Sequence, residues 1–178
     1  MSSYTQFLPS YTVGSEAYGR ISDVCRPYGK KAVVIGGKRA LTAAKSEIEA
    51  ALKDSDIQIL GFLWYGGEAS FENGDMLMLN NAVQEADMIF AVGGGKAIDC
   101  CKYVSYSLGN KPLFTFPTIA STCAAISSVA VIYYPNGLMR ETYQFDKRPA
   151  KHVFINTNII AQAPAVYLWA GIGDTIAK

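Results

Sequence analysis

Histidine is nearly absent from this sequence of 178 residues, which contains only one, His152. A catalytic metal site needs about three protein ligands and one open position. One histidine cannot supply such a site, and the four cysteines form no C-x-x-C motif. We interpret His152, which precedes a predicted strand, as a structural or surface residue rather than a metal ligand.

The sequence also lacks blocks of like charge, and its formal net charge is +1. We therefore expect no nucleic-acid partner and no membrane-surface partner. No apolar stretch approaches the ~18 residues that a membrane span needs, and residues 1–6 lack the charged and apolar regions of a signal peptide. Since the cysteines are also expected to be reduced thiols, these absences indicate a cytoplasmic protein.

What the sequence does have is a globular composition with alternating patterns. Half of its residues are hydrophobic and 17% are charged, which is typical of a domain with a substantial core. The predicted strands cover residues 31–35, 57–65, 88–92, 112–117 and 153–156. The helices between them are predicted from apolar positions 41, 44, 48 and 52, from 76, 79, 83 and 86, and from 97, 101, 104 and 108. This order predicts an α/β fold with a Rossmann-like parallel sheet and helices on both faces.

The pattern changes in the last third of the chain. Residues 129–134 and 139–145 flank Pro135-Asn136-Gly137, a turn signal that predicts a β-hairpin added to the sheet. Asn158 is predicted to cap a short helix that ends before Pro164. Residues 168–178 have the character of a new helix that begins and then ends abruptly.

Gly93-Gly94-Gly95-Lys96 stands between a buried strand and the start of a helix. Glycine lets a ligand approach the backbone, the N–H groups at a helix start attract negative charge, and Lys96 adds a cation. The segment predicts a phosphate site, with an ordinary strand-to-helix turn as the alternative, because neither G-x-G-x-x-G nor the P-loop pattern is present. Ligands of parallel sheets bind at the carboxyl ends of strands, so residues 36–37, 93–96 and 117–123 are expected at one edge.

Three segments together resemble a known family: Gly93-Gly94-Gly95-Lys96-Ala97-Ile98-Asp99, Pro117-Thr118-Ile119-Ala120-Ser121-Thr122-Cys123-Ala124-Ala125 and Ala170-Gly171-Ile172-Gly173-Asp174-Thr175. Their order and spacing resemble the glycerol dehydrogenase group of the iron-containing alcohol dehydrogenase superfamily. Members have an N-terminal dinucleotide-binding domain and a C-terminal helical domain, with a divalent metal between them. The resemblance implies a dinucleotide-binding α/β domain at residues 1–163. It implies that residues 164–178 begin the helical metal-binding domain, the rest of which is missing.

The resemblance also implies roles for single residues. The implied cofactor contacts are Gly94, Gly95 and Lys96 at the pyrophosphate, Thr118 and Ser121 elsewhere on the cofactor, and Ser127, Val129 and Tyr133 near the nicotinamide. Asp174 is implied as the first ligand of a zinc or iron ion, whose two histidine ligands come from the helical domain in this family. From the residues alone, an N-cap for a helix beginning at Thr175 is the preferred explanation of Asp174.

The turn after the first predicted strand departs from many NAD-using relatives, which have an acidic residue there for the adenosine ribose. This chain has Gly37 followed by Lys38 and Arg39. Loss of the acid and gain of cations favour a ribose 2′-phosphate, so we expect NADP ahead of NAD. A solvated helix start is the alternative, although cations are slightly unfavourable at a helix N-terminus.

Cys123 stands where glycerol dehydrogenases have an aspartate near the polyol substrate. A neutral thiol removes a negative charge from that pocket, so a substrate carboxylate is repelled less. The Thr-Cys-Ala-Ala version at residues 122–125, with Gly-Lys-Arg-Ala at 37–40 and Ala-Gly-Ile-Gly-Asp-Thr at 170–175, looks most like a hydroxycarboxylate dehydrogenase branch. Members of that branch reduce 2-oxo acids with NADPH. Cys123 is therefore the candidate residue for contact with the substrate. The alternative is that Cys123 is a buried small residue that takes no part in the chemistry.

The resemblance thus implies a metal-dependent NAD(P) oxidoreductase that interconverts a 2-hydroxy acid and a 2-oxo acid by hydride transfer. One alternative is an NAD-dependent glycerol or polyol dehydrogenase, and another is a nucleotide-binding module without catalysis. We expect residues 1–178 alone to have no turnover, because the metal site is incomplete in them. We also expect a homo-oligomer, since family members commonly assemble.

Overall fold

The computed structural model describes residues 7–146 and 148–177. Residues 1–6, Lys147 and Lys178 lie outside the described part, and so do the sequence-based predictions that concern them. The strands are β1 (Ser10–Gly14), β2 (Lys31–Gly36), β3 (Gln58–Trp64), β4 (Met88–Gly93), β5 (Leu113–Pro117), β6 (Ala130–Tyr133), β7 (Met139–Tyr143) and β8 (His152–Asn156). The α-helices are α1 (Ile21–Cys25), α2 (Lys38–Leu52), α3 (Phe71–Met78), α4 (Asn81–Glu85), α5 (Gly95–Ser107), α6 (Thr157–Ala161) and α7 (Ala165–Ile176).

Six of these strands form one parallel sheet in the order β1-β8-β5-β4-β2-β3. Every residue of β4 is buried, and so is every residue of β2 after Lys31. The inner strands of a parallel sheet are covered on both faces, so they carry continuous apolar runs rather than an alternating pattern. The predicted Rossmann-like parallel sheet is thereby confirmed.

Helices cover both faces of the sheet, as predicted. On one face, residues of α3, α4 and α5 pack with strand residues that include Val33, Ile89 and Val153. On the other face, residues of α1 and α2 pack with Val34 and with the phenylalanines of three strands, which are Phe90, Phe114, Phe116 and Phe154. Successive residues of a strand belong in turn to one core and then to the other, because successive side chains of a strand point to opposite faces of the sheet.

The strand order reverses at β2, and this switch point positions the site. β3 extends the sheet on one side of β2, and the chain then crosses to β4 on the other side. Such a reversal leaves a crevice at the carboxyl ends of the strands, and α2 and α5 both begin there. Gly36 ends β2 in close contact with β4, since a Cβ at Gly36 would lie 2.3 Å from the Val92 carbonyl oxygen. Glycine permits this close approach of two backbones.

Residues 71–86 form two short helices, where the sequence predicted one. The side chain of Asn80 accepts a hydrogen bond from the N–H of Ala82 at 2.9 Å, and this cap begins α4. Of the four apolar positions from which the helix was predicted, Met76 and Leu79 are exposed, and Val83 and Ala86 are buried. The prediction of one continuous helix was therefore wrong, because the apolar spacing runs across two separate helices.

Three further details differ from the expected pattern or refine it. The cap of α6 is Asn156 rather than Asn158: its side chain accepts hydrogen bonds from the N–H groups of Asn158 and Ile159. The edge strand β1 was not predicted. The predicted hairpin is present, as a separate antiparallel pair of β6 and β7 beside α5.

The last helix, α7, is poorly covered. None of its residues is buried, and its exposed apolar side chains include Leu168, Trp169 and Ile176. Gly171 contacts the loop after β5 closely, because a Cβ there would lie 2.0 Å from the Ala120 carbonyl oxygen. α7 begins near the predicted domain boundary, but the division into two domains stays a prediction. Among the described residues, no helix is both long and apolar enough to cross a membrane.

Candidate cofactor cleft

An open cleft lies over the switch point between β2 and β4. Its larger part has a volume of about 780 Å³ and its smaller part about 520 Å³. The residues that line both parts are Gly37, Ala40, Tyr65, Gly94, Ile119 and Tyr167. The two parts therefore form one elongated cleft, with the glycine turn at their junction.

The glycine turn leaves backbone exposed at this junction. Gly93 has a φ of +145°, which side-chain-bearing residues rarely adopt. A Cβ at Gly94 would lie 2.6 Å from Ile119 Cδ1, and one at Gly95 would lie 3.2 Å from Thr122 Oγ1. Side chains at these positions would fill the floor of the cleft, so the glycines keep it open to a ligand.

Two helices that directly follow strands of the sheet begin in the cleft without a side-chain cap, and α7, which starts after Pro164 at the smaller part, has no side-chain cap either. α2 follows Gly37 and α5 follows Gly94, and neither helix has a capping side chain or an acidic residue in its first turn. By contrast, α3, α4 and α6 are capped by Ser70, Asn80 and Asn156. The starts of α2 and α5 therefore offer uncapped N–H groups and partial positive charge to the cleft. A diphosphate is the ligand chemistry that suits two such helix N-termini.

Lys96 already has an acidic neighbour. Its ammonium donates a hydrogen bond to Glu68 Oε2 at 2.7 Å and lies 4.7 Å from the centre of the Tyr133 ring. Glu68, which is 15% exposed at its side chain, was missed in the sequence because it lies 28 positions before Lys96. The cation predicted for the pyrophosphate is thus partly neutralised, and its contact with phosphate stays a prediction.

The smaller part of the cleft carries two cations and a flat aromatic wall. Lys38 and Arg39 line it, and the Lys38 ammonium lies 4.3 Å from the centre of the Trp64 ring. None of its described lining residues is Asp or Glu. A cation–π contact holds Lys38 at this wall. Trp64 was not among the predicted site residues, although it stands at the carboxyl end of a predicted strand.

Every residue predicted to contact the cofactor lies on this cleft. Lys38 and Thr118 line the smaller part, and Gly37 and Gly94 line both parts. The larger part is lined by Gly95, Lys96, Ser121, Ser127, Val129 and Tyr133. The fold therefore brings these loops together, while the role of each residue stays a prediction.

Cys123 and Asp174 lie where α7 meets the loop after β5. Both line the larger part of the cleft and also an adjoining cavity of about 610 Å³. Cys123 is exposed, so the alternative of a buried small residue is wrong. Asp174 lies near the end of α7 rather than before its first turn, so the N-cap explanation is wrong as well.

The described residues do not form a metal centre by themselves. Among them no group of three or more His, Cys, Asp or Glu side chains is arranged to hold an ion. His152 begins β8, at the end of the sheet opposite the cleft, and its ring nitrogens lie 2.7 Å from Ser10 Oγ and 2.9 Å from Thr12 Oγ1. Burial lowers the pKa of His152. These contacts agree with a structural role for this histidine.

A buried ion pair lies at one wall of the larger part, which Asp99 lines and Lys102 does not. Lys102 Nζ is 2.9 Å from Asp99 Oδ1, and both side chains are less than a tenth exposed. Burial lowers the pKa of Lys102, against the opposing effects of Asp99 and Cys123, and burial raises the pKa of Asp99. The pair was not predicted as part of the site, although its spacing within a predicted helix was a signal that could have found it.

A family model for iron-containing alcohol dehydrogenases matches residues 9–157. The glycerol dehydrogenase of Escherichia coli O6:H1 (strain CFT073) is 33% identical over 167 residues, which cover 94% of this chain and 45% of the relative. That of Thermotoga maritima is 44% identical over 114 residues, or 64% of this chain and 30% of the relative. Hydroxycarboxylate dehydrogenase A of Escherichia coli K12 is 33% identical over 148 residues, or 83% of this chain and 39% of the relative.

The fold comparison agrees with these matches. The crystal structure of glycerol dehydrogenase from Schizosaccharomyces pombe superposes with a TM-score of 0.85 at 30% identity, covering 99% of this chain and 44% of that one. The chain thus spans less than half the length of these relatives. The resemblance carried by the three sequence segments is confirmed, and the chain belongs to the iron-containing alcohol dehydrogenase family.

Proposed function

We propose that this chain is the dinucleotide-binding part of a metal-dependent NAD(P) oxidoreductase that acts on CH–OH groups of small molecules. The observation that carries the proposal is the pair of uncapped helix N-termini, of α2 and α5, that begin in one cleft floored by Gly94. Family membership supports the same reaction class. Because the chain spans less than half of its relatives' length, turnover, substrate and metal are all part of the proposal.

The chain's own residues would bind and orient the cofactor. The N–H groups at the starts of α2 and α5 would hold the diphosphate, which Gly94 allows to approach. The nicotinamide half would then occupy the larger part, against Val129 and Tyr133. A bound dinucleotide supplies or accepts the hydride, while the walls of the cleft orient its ring and exclude water. Asp174 is proposed as one ligand of a zinc or iron ion, which the described residues alone do not hold.

NADP is the cofactor that the smaller part favours, because Lys38 and Arg39 line it without a carboxylate among its described lining residues. The double substitution Lys38→Ala/Arg39→Ala should raise the Kd for NADPH at least about tenfold, since one hydrogen bond to a charged group contributes about 1.5 kcal/mol or more. Binding of NADH, which lacks the 2′-phosphate, should change far less. Fluorescence titration of the 178-residue chain measures both. Equal losses for the two cofactors would contradict the preference for NADP.

The substrate class has two candidates. The comparisons favour a small polyol slightly, because relatives named above are glycerol dehydrogenases. A 2-hydroxy acid is favoured by Cys123, an exposed neutral side chain at the proposed substrate end of the cleft. A substrate carboxylate would meet no aspartate at this position.

Substitution of Cys123 by aspartate separates the two candidates. In the metal-loaded natural protein, we expect Cys123→Asp to lower kcat/KM for a 2-oxo acid about tenfold or more, since like charges a few ångströms apart repel by more than 1 kcal/mol near a protein surface. Oxidation of glycerol should fall much less or rise. Cys123→Ser is the matched control, because it is neutral and of similar size. If the aspartate and serine variants behave alike, charge at this position does not select the substrate.

The remaining expectations stay open to test. A cytoplasmic location and a homo-oligomer are predictions that follow from composition and family. A nucleotide-binding module without catalysis would use the same cleft, and it would be favoured if the metal-loaded natural protein binds NADPH yet turns over neither polyols nor oxo acids. Metal-dependent turnover by residues 1–178 alone would contradict the prediction that they are inactive by themselves.

A further inference from the structure

The buried pair of Asp99 and Lys102 contacts one segment of chain at alternate residues. Besides Asp99, the Lys102 ammonium donates to the Val129 carbonyl oxygen at 2.5 Å and to Ser127 Oγ at 3.4 Å. The second carboxylate oxygen of Asp99 accepts a hydrogen bond from the Val131 N–H at 3.0 Å. The two charged groups therefore fasten residues 127–131 to α5 at three successive points.

The segment at residues 127–131 contributes a wall to the larger part of the cleft and not to the smaller part. Ser127, Val129 and Val131 all line the larger part, and none of them lines the smaller part. The segment leads directly into β6, which ends at Tyr133, another lining residue of the larger part. The hydrogen bonds of the ion pair therefore go to a wall at one end of the cleft, which Asp99 itself also lines, and neither residue lines the other end.

Fold stability is a poor explanation for such a pair. Removing two charges from water is costly, and well-packed apolar residues often replace a buried ion pair without loss of stability. Burial raises the pKa of Asp99 and lowers the pKa of Lys102, so the surroundings disfavour the charged form of each group. A pair at such a place, whose other described hydrogen bonds all go to one segment, is better explained by what it positions.

We propose that Asp99 and Lys102 are positioning residues, which set the nicotinamide wall at residues 127–131 through their hydrogen bonds to Ser127, Val129 and Val131. This inference rests on the proposed function, because it takes the larger part as the nicotinamide end. Asp99 also lines the larger part, but the proposed role acts through residues 127–131 and requires no contact of either residue with the cofactor. Loss of the pair should weaken binding of the nicotinamide half of the cofactor and leave binding of the adenosine half unchanged.

The test compares a whole dinucleotide with its adenosine half. The double variant Asp99→Asn/Lys102→Met removes both charges and leaves no lone buried ion. We expect its Kd for NADPH to rise about tenfold, the effect of losing one or two net hydrogen bonds, with the Kd for 2′,5′-ADP unchanged. The matched control is Asp23→Asn/Arg20→Met, which removes an exposed ion pair of the same spacing outside the cleft.

The outcomes separate a positioning role from a structural one. Equal weakening of both ligands would mean that the pair only supports the fold, and unchanged NADPH binding would mean that it positions nothing; either result overturns the proposal. If the double variant does not fold, the single variant Asp99→Asn keeps the side-chain shape but leaves one acceptor oxygen for two donors, the Lys102 ammonium and the Val131 N–H. One of these two bonds is then lost, and the same ligand difference is expected at smaller size. If the unaltered chain binds NADPH no more tightly than 2′,5′-ADP, the nicotinamide half adds nothing to the affinity. In that case this further inference fails and the proposed function does not. If it binds neither ligand, the proposed function fails too.

Discussion

Replacement of Gly94 by alanine should remove most of the affinity for a nicotinamide dinucleotide and leave the fold intact. The new Cβ would lie 2.6 Å from Ile119 Cδ1, the flexible end of a side chain, so a small repacking relieves the contact. The same methyl group stands on the cleft floor, where a diphosphate must reach backbone N–H groups. Each lost hydrogen bond to a charged group costs about 1.5–3 kcal/mol, so the Kd for NADPH should rise about 10- to 100-fold or more.

Gly19→Ala is the matched control for this variant. Apart from its chain neighbours and the backbone of its own helical turn, no described heavy atom lies within 4 Å of a Cβ built at Gly19, and the residue does not line the cleft. NADPH titration and thermal unfolding are measured on both variants. Full affinity in Gly94→Ala would contradict the assignment of the diphosphate to this turn, and so would an equal loss in both variants.

Alanine at Gly171 and at Gly173, two positions of α7, should change stability with opposite signs. A Cβ at Gly171 would lie 2.0 Å from the Ala120 carbonyl oxygen, a backbone atom that cannot rotate away. Gly171→Ala should therefore lower the free energy of unfolding by about 1–3 kcal/mol. At Gly173 a Cβ would meet no described heavy atom within 4 Å beyond its chain neighbours and the adjacent backbone of α7, so Gly173→Ala should raise that free energy by about 0.5–1 kcal/mol through helix propensity.

The same pair of variants tests whether Gly171 fixes α7 at the cleft. Trp169 is exposed on this helix, and its fluorescence reports on the position of α7 during denaturant unfolding. Displacement of the helix in Gly171→Ala would also move Asp174 relative to Cys123, with which it lines the cleft. Two variants of equal stability and equal fluorescence would show that the close contact with Ala120 does not hold the helix.

The parts of the fold that the sequence predicts well are those with a strong local signal. β2 and β4 are continuous apolar runs that end in glycine, and the glycines mark the switch-point crevice before any coordinates are known. β1 has no such signal, because it is a short edge strand with Tyr11 and Val13 exposed. It becomes a strand through its parallel pairing with β8, which lies far away in the chain. Pairing of this kind cannot be inferred from local propensity.

For the candidate site, too, some features could be predicted from the sequence and others could not. The cofactor residues could be named because family motifs place them at loops that follow strands, and the fold brings those loops together. The contacts of Lys96 with Glu68 and of Lys38 with Trp64 join separate elements, so no spacing rule reveals them. Asp99 and Lys102 lie within one helix turn of each other and were visible in principle. Their bonds to the segment at residues 127–131 depend on how the hairpin packs on α5.

The central claim is that the cleft over β2 and β4 binds a nicotinamide dinucleotide. Its most direct test is calorimetric titration of the 178-residue chain with NADPH, NADH and ATP in the same buffer and salt. We predict saturable binding of NADPH, weaker binding of NADH and the weakest binding of ATP, because only the dinucleotides fill both parts of the cleft. Tight binding of ATP with no binding of either dinucleotide would contradict the claim.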